Sequence, residues 1–451
     1  MAHALGRHLV LVGFMGAGKS TVGEQAAALL QRPFLDVDRE VEATHGPIWE
    51  VFAREGEPAF RELEARFLRE ACARGEPSVI AVGGGAVETR GLLGELDVLT
   101  VLLDVDVETA WQRVRVSSRP LAQDEAEFRT RFERRQPLYE EVADARATDV
   151  DDVVLAGAGI GFGPYHEALG EGTVVADRRV AEAYGIEAAH LVDAKSIAEA
   201  ERAWSGLALD RSSRLVAVGG GTTTDLVGFV AATYMRGVDW VAVPTTLVGQ
   251  VDAAIGGKTG VDLAEGKNLV GAFHWPLATR IDTALLDTLP DGERLNGLAE
   301  VVKTGLLAGE PYWELETENQ VRACAAYKAA VCLRDPRELG ERAHLNLGHT
   351  FGHALETASG NTIPHGRAVA LGLLAALRLS GLDEEARTVE DVLAPEPVEV
   401  DRELAWKLLQ RDKKARDGRV RLVLLDAPGA PRVTADVEPE RVRAALDALI
   451  A

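Results

Sequence analysis

Short apolar runs alternate with longer amphipathic stretches through the first part of the chain: Leu9–Val12, Val79–Val82, Val98–Leu103, Val153–Leu155, Leu215–Val218 and Trp240–Val243. Buried strands separated by helical patterns predict parallel α/β structure. Beyond about residue 295 the pattern becomes mostly helical, as in Leu298–Leu307 and Ala368–Leu379, and a proline-rich break at Ala394–Val398 marks a late loop. The acidic pause Asp149–Asp152, just before the run that opens at Val153, places a boundary between residues 1–152 and 153–451. The second part divides into an α/β region, 153–295, and a mainly helical region, 296–451. The glycines at 157, 159, 161 and 163 alternate, do not fit a dinucleotide fingerprint, and read as a flexible turn.

Composition narrows the partners. The 451 residues are 47% hydrophobic and 27% charged, which excludes a disordered or fibrous chain. A net charge of −22 repels nucleic acid and anionic membrane surfaces, but leaves room for small anions held by local cations. Cys72, Cys324 and Cys332 form no CxxC pair, which fits a reducing cytoplasm and no thiolate zinc site. No apolar stretch is long enough to span a membrane. Only nine of the 49 basic residues are lysines, so each lysine is a candidate for a placed ammonium.

Gly13–Ser20 matches GxxxxGK[ST] in full, between strand Leu9–Val12 and the helical pattern Thr21–Leu30. Backbone N–H groups around Gly16 and Gly18, Lys19, Ser20 and Thr21 are therefore expected to cradle the phosphates of ATP, with Mg²⁺ on Ser20. The next strand is expected to end Phe34–Asp38, with Asp36 and Asp38 at i and i+2 pointing the same way. Then come Phe60-Arg-Glu-Leu-Glu64 on a helix, Gly83-Gly-Gly85 after a strand, Arg119-Pro120 and Arg134-Arg135-Gln-Pro-Leu-Tyr139. From about residue 7 to 148 this set resembles shikimate kinase. The resemblance implies a P-loop kinase fold, a parallel sheet with flanking helices. It implies shikimate held by Asp38, Arg61, Gly83, Gly84, Gly85 and Arg135, Asp38 as base, Asp36 in the outer shell of Mg²⁺, and Arg119 as a lid arginine. The family's usual strand and helix after the Pro-Leu-Tyr motif are expected to be missing, so that the kinase core would lean on the second domain for cover.

Gly219-Gly-Gly221 again follows a strand and precedes Thr222–Asp225 and a helical run, a plausible pyrophosphate cradle. Glu300 and Lys303 share a helix face. His349 and His353 form an i,i+4 pair, and His365 follows; Glu300 with two of these histidines satisfies a catalytic metal's need for three protein ligands. Lys258, Lys267-Asn268, Lys303, Lys328, Arg342 and Asn346 suit a small, strongly anionic substrate. From about residue 153 onward these segments resemble 3-dehydroquinate synthase. The resemblance implies an α/β NAD⁺-binding domain and a helical metal-binding domain, with Zn²⁺ or Co²⁺ on Glu300, His349 and His365, and with His353 facing the substrate. It gives the dinucleotide contacts to Gly219, Gly220, Gly221, Asp225, Thr245, Thr246 and Asp252. It gives the substrate surroundings and chemistry to Asp252 as well, with Lys258, Lys267, Asn268, Lys303, Lys328, Arg342, Asn346 and Lys413 or Lys414, and puts Arg236 on the phosphate. Val192-Asp-Ala-Lys195 departs from the family's adenosine region, leaving Lys195 as a candidate contact.

The expected protein is a bifunctional, cytoplasmic enzyme of aromatic amino-acid biosynthesis. It would phosphorylate shikimate at the 3-hydroxyl with ATP, and convert 3-deoxy-D-arabino-heptulosonate 7-phosphate to 3-dehydroquinate with NAD⁺ and a metal. A homodimer through the synthase half is admissible, with neither nucleic acid nor membrane as partner. A metal- and NAD-dependent polyol dehydrogenase is the alternative for the second half, disfavoured because a neutral polyol needs no such lysines.

Overall fold

A computed structural model describes residue 3 and residues 5–115, 124–263, 266–410 and 420–451. The chain divides into two compact units, Met1–Gly161 and Phe162–Ala451.

In the first unit a five-stranded sheet has the order β2-β3-β1-β4-β5, parallel throughout. The strands are β1 (His8–Val12), β2 (Phe34–Asp36), β3 (Val79–Ala81), β4 (Val98–Leu103) and β5 (Ala145–Ala147). The helices are α1 (Lys19–Leu30), α2 (Val37–His45), α3 (Ile48–Cys72), α4 (Val107–Val114), α5 (Glu125–Val142) and α6 (Val150–Gly157). Every residue of β1 and β4 is buried, as expected for strands covered on both faces.

Expectations at two places in the first unit need correction. Val153–Leu155 is not a strand but the middle of α6. The Asp149 carboxylate caps α6 by accepting from the Asp152 N–H, and Asp151 and Asp152 place negative charge on its positive end. A three-residue apolar run carries no period, so the cap decides. Helix α6 lies against β5 and α1, with Val153, Val154 and Leu155 all at most 2% exposed. The terminal strand and helix expected to be missing are therefore β5 and α6, inside the first unit. The second correction concerns Asp36 and Asp38, which do not lie side by side on a strand. Asp36 ends β2 and caps α2, accepting from the Arg39 N–H at 3.3 Å, and Asp38 sits in the first helical turn. Of the alternating glycines, Gly157 ends α6, Gly159 sits at φ 72° in the turn that follows, Gly161 lies in the short strand β6 (Ile160–Phe162) and Gly163 comes just after it.

A six-stranded sheet follows in the order β6-β13-β10-β9-β7-β8. Its other strands are β7 (Thr173–Asp177), β8 (His190–Val192), β9 (Arg214–Gly219), β10 (Asp239–Pro244) and β13 (Ala278–Ile281). The helices threaded among them are α7 (Tyr165–Leu169), α8 (Arg178–Tyr184), α9 (Ile197–Gly206) and α10 (Gly221–Thr233). Strands β9 and β10 pair in parallel register, Val216 with Val241, so the loops leaving both emerge at one sheet end. An antiparallel pair, β11 (Lys258–Leu263) and β12 (Gly266–Phe273), stands outside that sheet and packs on α10. The rest is helical: α11 (Asp291–Ala308), α12 (Thr317–Arg334), α13 (His349–Ala358), α14 (His365–Ser380), α15 (Asp383–Leu393), α16 (Arg402–Gln410) and α17 (Pro439–Asp447). The small hairpin β14 (Leu422–Leu425) and β15 (Pro431–Thr434) completes it. Helices α11, α13 and α14 share one core through Val302, Leu306, Phe351, Leu355, Val369 and Leu373.

Where α13 meets α14, bare backbones touch. A Cβ on Gly372 would run into the Gly348 carbonyl, and one on Gly352 would stand 3.0 Å from the Ala368 carbonyl. Gly348 is the residue before His349, so this contact fixes the start of α13 against α14.

Candidate active sites

In the first unit the loop between β1 and α1 turns at Gly18, whose left-handed φ of 95° caps α1 without a side-chain hydrogen bond. The first N–H groups of α1 thus face the loop. Lys19 Nζ donates to the carbonyls of Gly13 (2.7 Å) and Phe14 (3.2 Å), which holds the ammonium over the loop. Ser20 Oγ donates to Asp36 Oδ2 at 2.6 Å, so hydroxyl and carboxylate stand together where a Mg²⁺ shell would need them.

Across from this loop, α3 kinks at Gly56 and then presents Arg61 and Glu64 on one face. Gly83 and Gly85 make room for them. A Cβ on Gly85 would collide with the Arg61 guanidinium, and one on Gly83 would collide with the Glu64 carboxylate and stand 2.7 Å from Asp38 Oδ1. Arg61 donates to Glu64 and Glu57, each at 2.8 Å. Arg135, on α5, is 1% exposed and donates to Glu88 Oε2 at 2.6 Å; Arg134 donates to Glu88 Oε1 at 2.6 Å. Tyr139 donates to the Gly84 carbonyl, tying α5 to the glycine turn. Asp38, Arg61, Gly83–Gly85 and Arg135 are therefore neighbours, and Arg119 lies outside the described residues. Glu64 and Glu88 complete the group. Burial pushes the Glu64 carboxyl up to about 7 against the pull of Arg61, with Asp38 adding repulsion.

In the second unit β9 delivers Gly219, Gly220 caps α10 and Gly221 begins it. The Thr245 N–H donates to the Gly219 carbonyl at 3.0 Å, and a Cβ on Gly220 would stand 2.9 Å from the Thr246 side chain. Among the described residues the buried hydroxyls of Thr223 and Thr245 have no hydrogen-bond partner, an unmet polar demand beside a glycine turn at a helix start. That donor set fits a dinucleotide pyrophosphate. Asp225 accepts from Lys195 at 2.9 Å, and Lys195 also donates to Asn268 Oδ1 at 2.7 Å.

Glu300 on α11, His349 at the start of α13 and His365 at the start of α14 converge, one ligand atom from each lying within 4.8 Å of the others. Both histidines turn Nε2 toward Glu300 Oε1, at 3.4 Å and 3.0 Å. The other ring nitrogen is occupied in each case: His349 Nδ1 by the Leu347 carbonyl at 3.1 Å, His365 Nδ1 by Glu356 Oε2 at 3.4 Å. Two imidazoles and one carboxylate with their second atoms engaged fit a divalent transition metal with an open fourth position. Burial alone would raise the Glu300 carboxyl, but Lys303 and the two histidines hold it well below the usual range. Burial would lower His365, and the Glu300 and Glu356 carboxylates instead raise it to about 10. His353, the other member of the i,i+4 pair, is exposed, with its ring 5.3 Å from that of His349.

The scarce lysines gather nearby. Lys303 Nζ lies 2.6 Å from Glu300 Oε2 and 3.4 Å from Asp252 Oδ1, and Lys328 donates to Asp252 Oδ1 at 2.8 Å. Burial would depress the Lys303 ammonium, but these two carboxylates raise it above its ordinary value. Lys258 pairs with Glu338 at 2.7 Å, and Asn346 donates to the same carboxylate at 3.1 Å. Arg342, 1% exposed, donates to the carbonyls of Gly256 and Pro336. Lys267 pairs with Glu356 at 3.1 Å. Among the described residues no hydrogen bond or ion pair joins Arg236 to this cluster; it is exposed, in a turn after α10, with φ 67°. Lys413 and Lys414 lie outside the described residues. Sequence reasoning missed Glu338 and Glu356. The second had a signal: seven residues after His349, it shares that residue's helix face. No helix among the described residues is long and apolar enough to cross a membrane.

Comparison with known proteins agrees with this geometry. Residues 15–154 match the family model for shikimate kinase, residues 187–296 that for the 3-dehydroquinate synthase N-terminal region, and residues 297–415 that for its C-terminal region. The 3-dehydroquinate synthase of Symbiobacterium thermophilum is 44% identical over 284 residues, 56% of this chain and 79% of that protein. Among solved structures, 2-epi-5-epi-valiolone synthase from Streptomyces hygroscopicus, with NAD⁺ and Zn²⁺ bound, is 26% identical with a TM-score of 0.54, over 64% of this chain and 96% of that one. A 2-deoxy-scyllo-inosose synthase, complexed with carbaglucose-6-phosphate, NAD⁺ and Co²⁺, shares the fold at 22% identity and a TM-score of 0.57, over 64% and 96% of the two chains. The chain belongs to the 3-dehydroquinate synthase family through residues 187–415 and to the shikimate kinase family through residues 15–154, and is a bifunctional enzyme of the shikimate pathway.

Proposed function

We propose that the first unit transfers the γ-phosphoryl group of ATP to the 3-hydroxyl of shikimate, and that the second converts 3-deoxy-D-arabino-heptulosonate 7-phosphate to 3-dehydroquinate with release of phosphate. The observation that carries the reading is the joining of a Glu300–His349–His365 cluster to lysines 267, 303 and 328 through the carboxylates of Glu356, Glu300 and Asp252. A neutral polyol would not call for that many ammonium groups, whereas a carboxylate bearing a phosphate does.

In the kinase, Lys19 and the N-terminus of α1 hold the phosphates, and Ser20 with Asp36 serves Mg²⁺. Arg61, Arg135 and Gly83–Gly85 orient shikimate so that Asp38 accepts the proton of the attacking hydroxyl. Catalysis rests on positioning and charge, with Arg119 as the proposed lid. In the synthase, Gly219–Gly221, Asp225, Thr245, Thr246 and Asp252 hold NAD⁺, and Glu300, His349 and His365 hold Zn²⁺ or Co²⁺. When bound, NAD⁺ supplies a reversible hydride acceptor and the metal a Lewis acid. Lys258, Lys267, Asn268, Lys303, Lys328, Arg342 and Asn346 fix the anionic substrate, Arg236 binds its phosphate, and His353 faces it as a proton carrier.

The purified chain should catalyse both reactions. Prolonged chelation should abolish the synthase reaction, zinc or cobalt should restore it, and kinase turnover should return with Mg²⁺ alone. Full synthase activity in protein stripped of detectable transition metal would refute the metal assignment.

A further inference from the structure

We propose that Glu356 is the positioning residue of the metal centre and the link between it and the β11–β12 hairpin. This rests on the metal assignment above. Glu356 is 3% exposed and spends its two oxygens on different partners. Oε2 faces His365 Nδ1 at 3.4 Å, while Oε1 takes the Lys267 ammonium at 3.1 Å. His365 can ligate a metal through Nε2 only if its ring is held in one orientation, with the proton on Nδ1. An acceptor on Nδ1 does both. His349 obtains the same service from a backbone carbonyl, which no substitution removes. His365, half-buried at the start of its helix, uses a side chain for the purpose.

The second oxygen widens the consequence. Lys267 sits on β12 beside Asn268, and Lys258 opens β11. The hairpin that carries three candidate substrate contacts is therefore tied by one carboxylate to a metal ligand. Substrate drawing Lys267 toward itself would alter how firmly Glu356 grips His365, and loss of Lys267 would loosen the metal without removing any ligand.

The test is metal affinity of the full chain, measured for Co²⁺ against a competing chelator, with the cobalt d–d absorption band as a second readout. Glu356→Leu should weaken binding about ten- to a hundredfold, the usual cost of losing an outer partner of a metal histidine. Glu356→Gln, which keeps volume and an acceptor oxygen, should weaken it less and still shift the band. Lys267→Ala should weaken binding severalfold alone and add nothing in the Glu356→Leu background. If Glu356→Leu and Glu356→Gln both bind Co²⁺ with wild-type affinity and spectrum, the proposal is overturned. The metal assignment is tested apart from it: His365→Ala with undiminished cobalt affinity would overturn that assignment, whatever Glu356 does.

Discussion

Glu64 lies under Gly83 with Asp38 beside it and Arg61 as its partner, and burial raises its pKa to about 7 from the ordinary 4.5. The folded state then holds this proton more tightly than the unfolded chain. Its contribution to stability is present below about pH 4.5 and is lost as pH rises through about 7. Carboxyl ¹³C spectra of wild type and Glu64→Gln should differ by one resonance titrating near 7, and wild type should lose stability relative to the variant between pH 5 and pH 8. A resonance titrating at the ordinary value would remove the argument. Glu88, Glu338 and Glu356 are the site residues the sequence does not reveal. With 71 acidic side chains, a single glutamate carries little signal; beyond the helix-face spacing of Glu356 from His349, each gains its meaning from the cation it faces in space. The lysines were legible for the opposite reason: with nine in the chain, five of which are now joined to carboxylates around one site, rarity itself was information.

Most elements were readable because period and punctuation agree in them. The P-loop strand and helix, β9, β10, α11 and α14 all fall where apolar pattern and a nearby glycine point together, and β4 coincides with a six-residue run bounded by Asp97 and Asp104. The failures cluster where a carboxylate caps a helix directly after a short strand: Asp36 for α2 and Asp149 for α6. In both places the apolar run is too short to show a period, and the cap was read as a strand residue or a linker. Helix α6 has a measurable consequence. Burying Val153, Val154 and Leu155 contributes about 5–9 kcal/mol as an upper bound, comparable with a whole domain's stability. A fragment ending at residue 161 should fold cooperatively, and one ending at residue 149 should not. Circular dichroism melts of the two fragments decide this, and a cooperative transition in the shorter one would contradict it.

At the scale of the molecule, the two phosphate cradles belong to different compact units and are built on different sheets. Lys19→Ala should cut kinase turnover by about a hundredfold or more, the cost of removing a donor from developing phosphoryl charge. Synthase turnover and NAD⁺ content should be unchanged in the same preparation. A variant that loses its NAD⁺ would show that the units are not independent. The net charge of −22 sets the wider frame, because both proposed substrates are anions approaching an acidic surface. Recognition then falls to small, buried islands of arginine and lysine, whose short-range pairing is little screened by salt.

The contact between Gly372 and Gly348 places a structural constraint where no chemistry occurs. An alanine at 372 would force α14 away from α13, and the histidines that open those helices would part by some tenths of an ångström. The fold would survive, but the ligand triangle would be too wide. Such a strain should fail in zinc-poor medium without aromatic amino acids and grow when zinc is plentiful, so that a defect of helix packing would be diagnosed at the bench as a trace-metal requirement. Growth of a Gly372→Ala strain independent of zinc supply would show that the helices absorb the extra methyl group elsewhere.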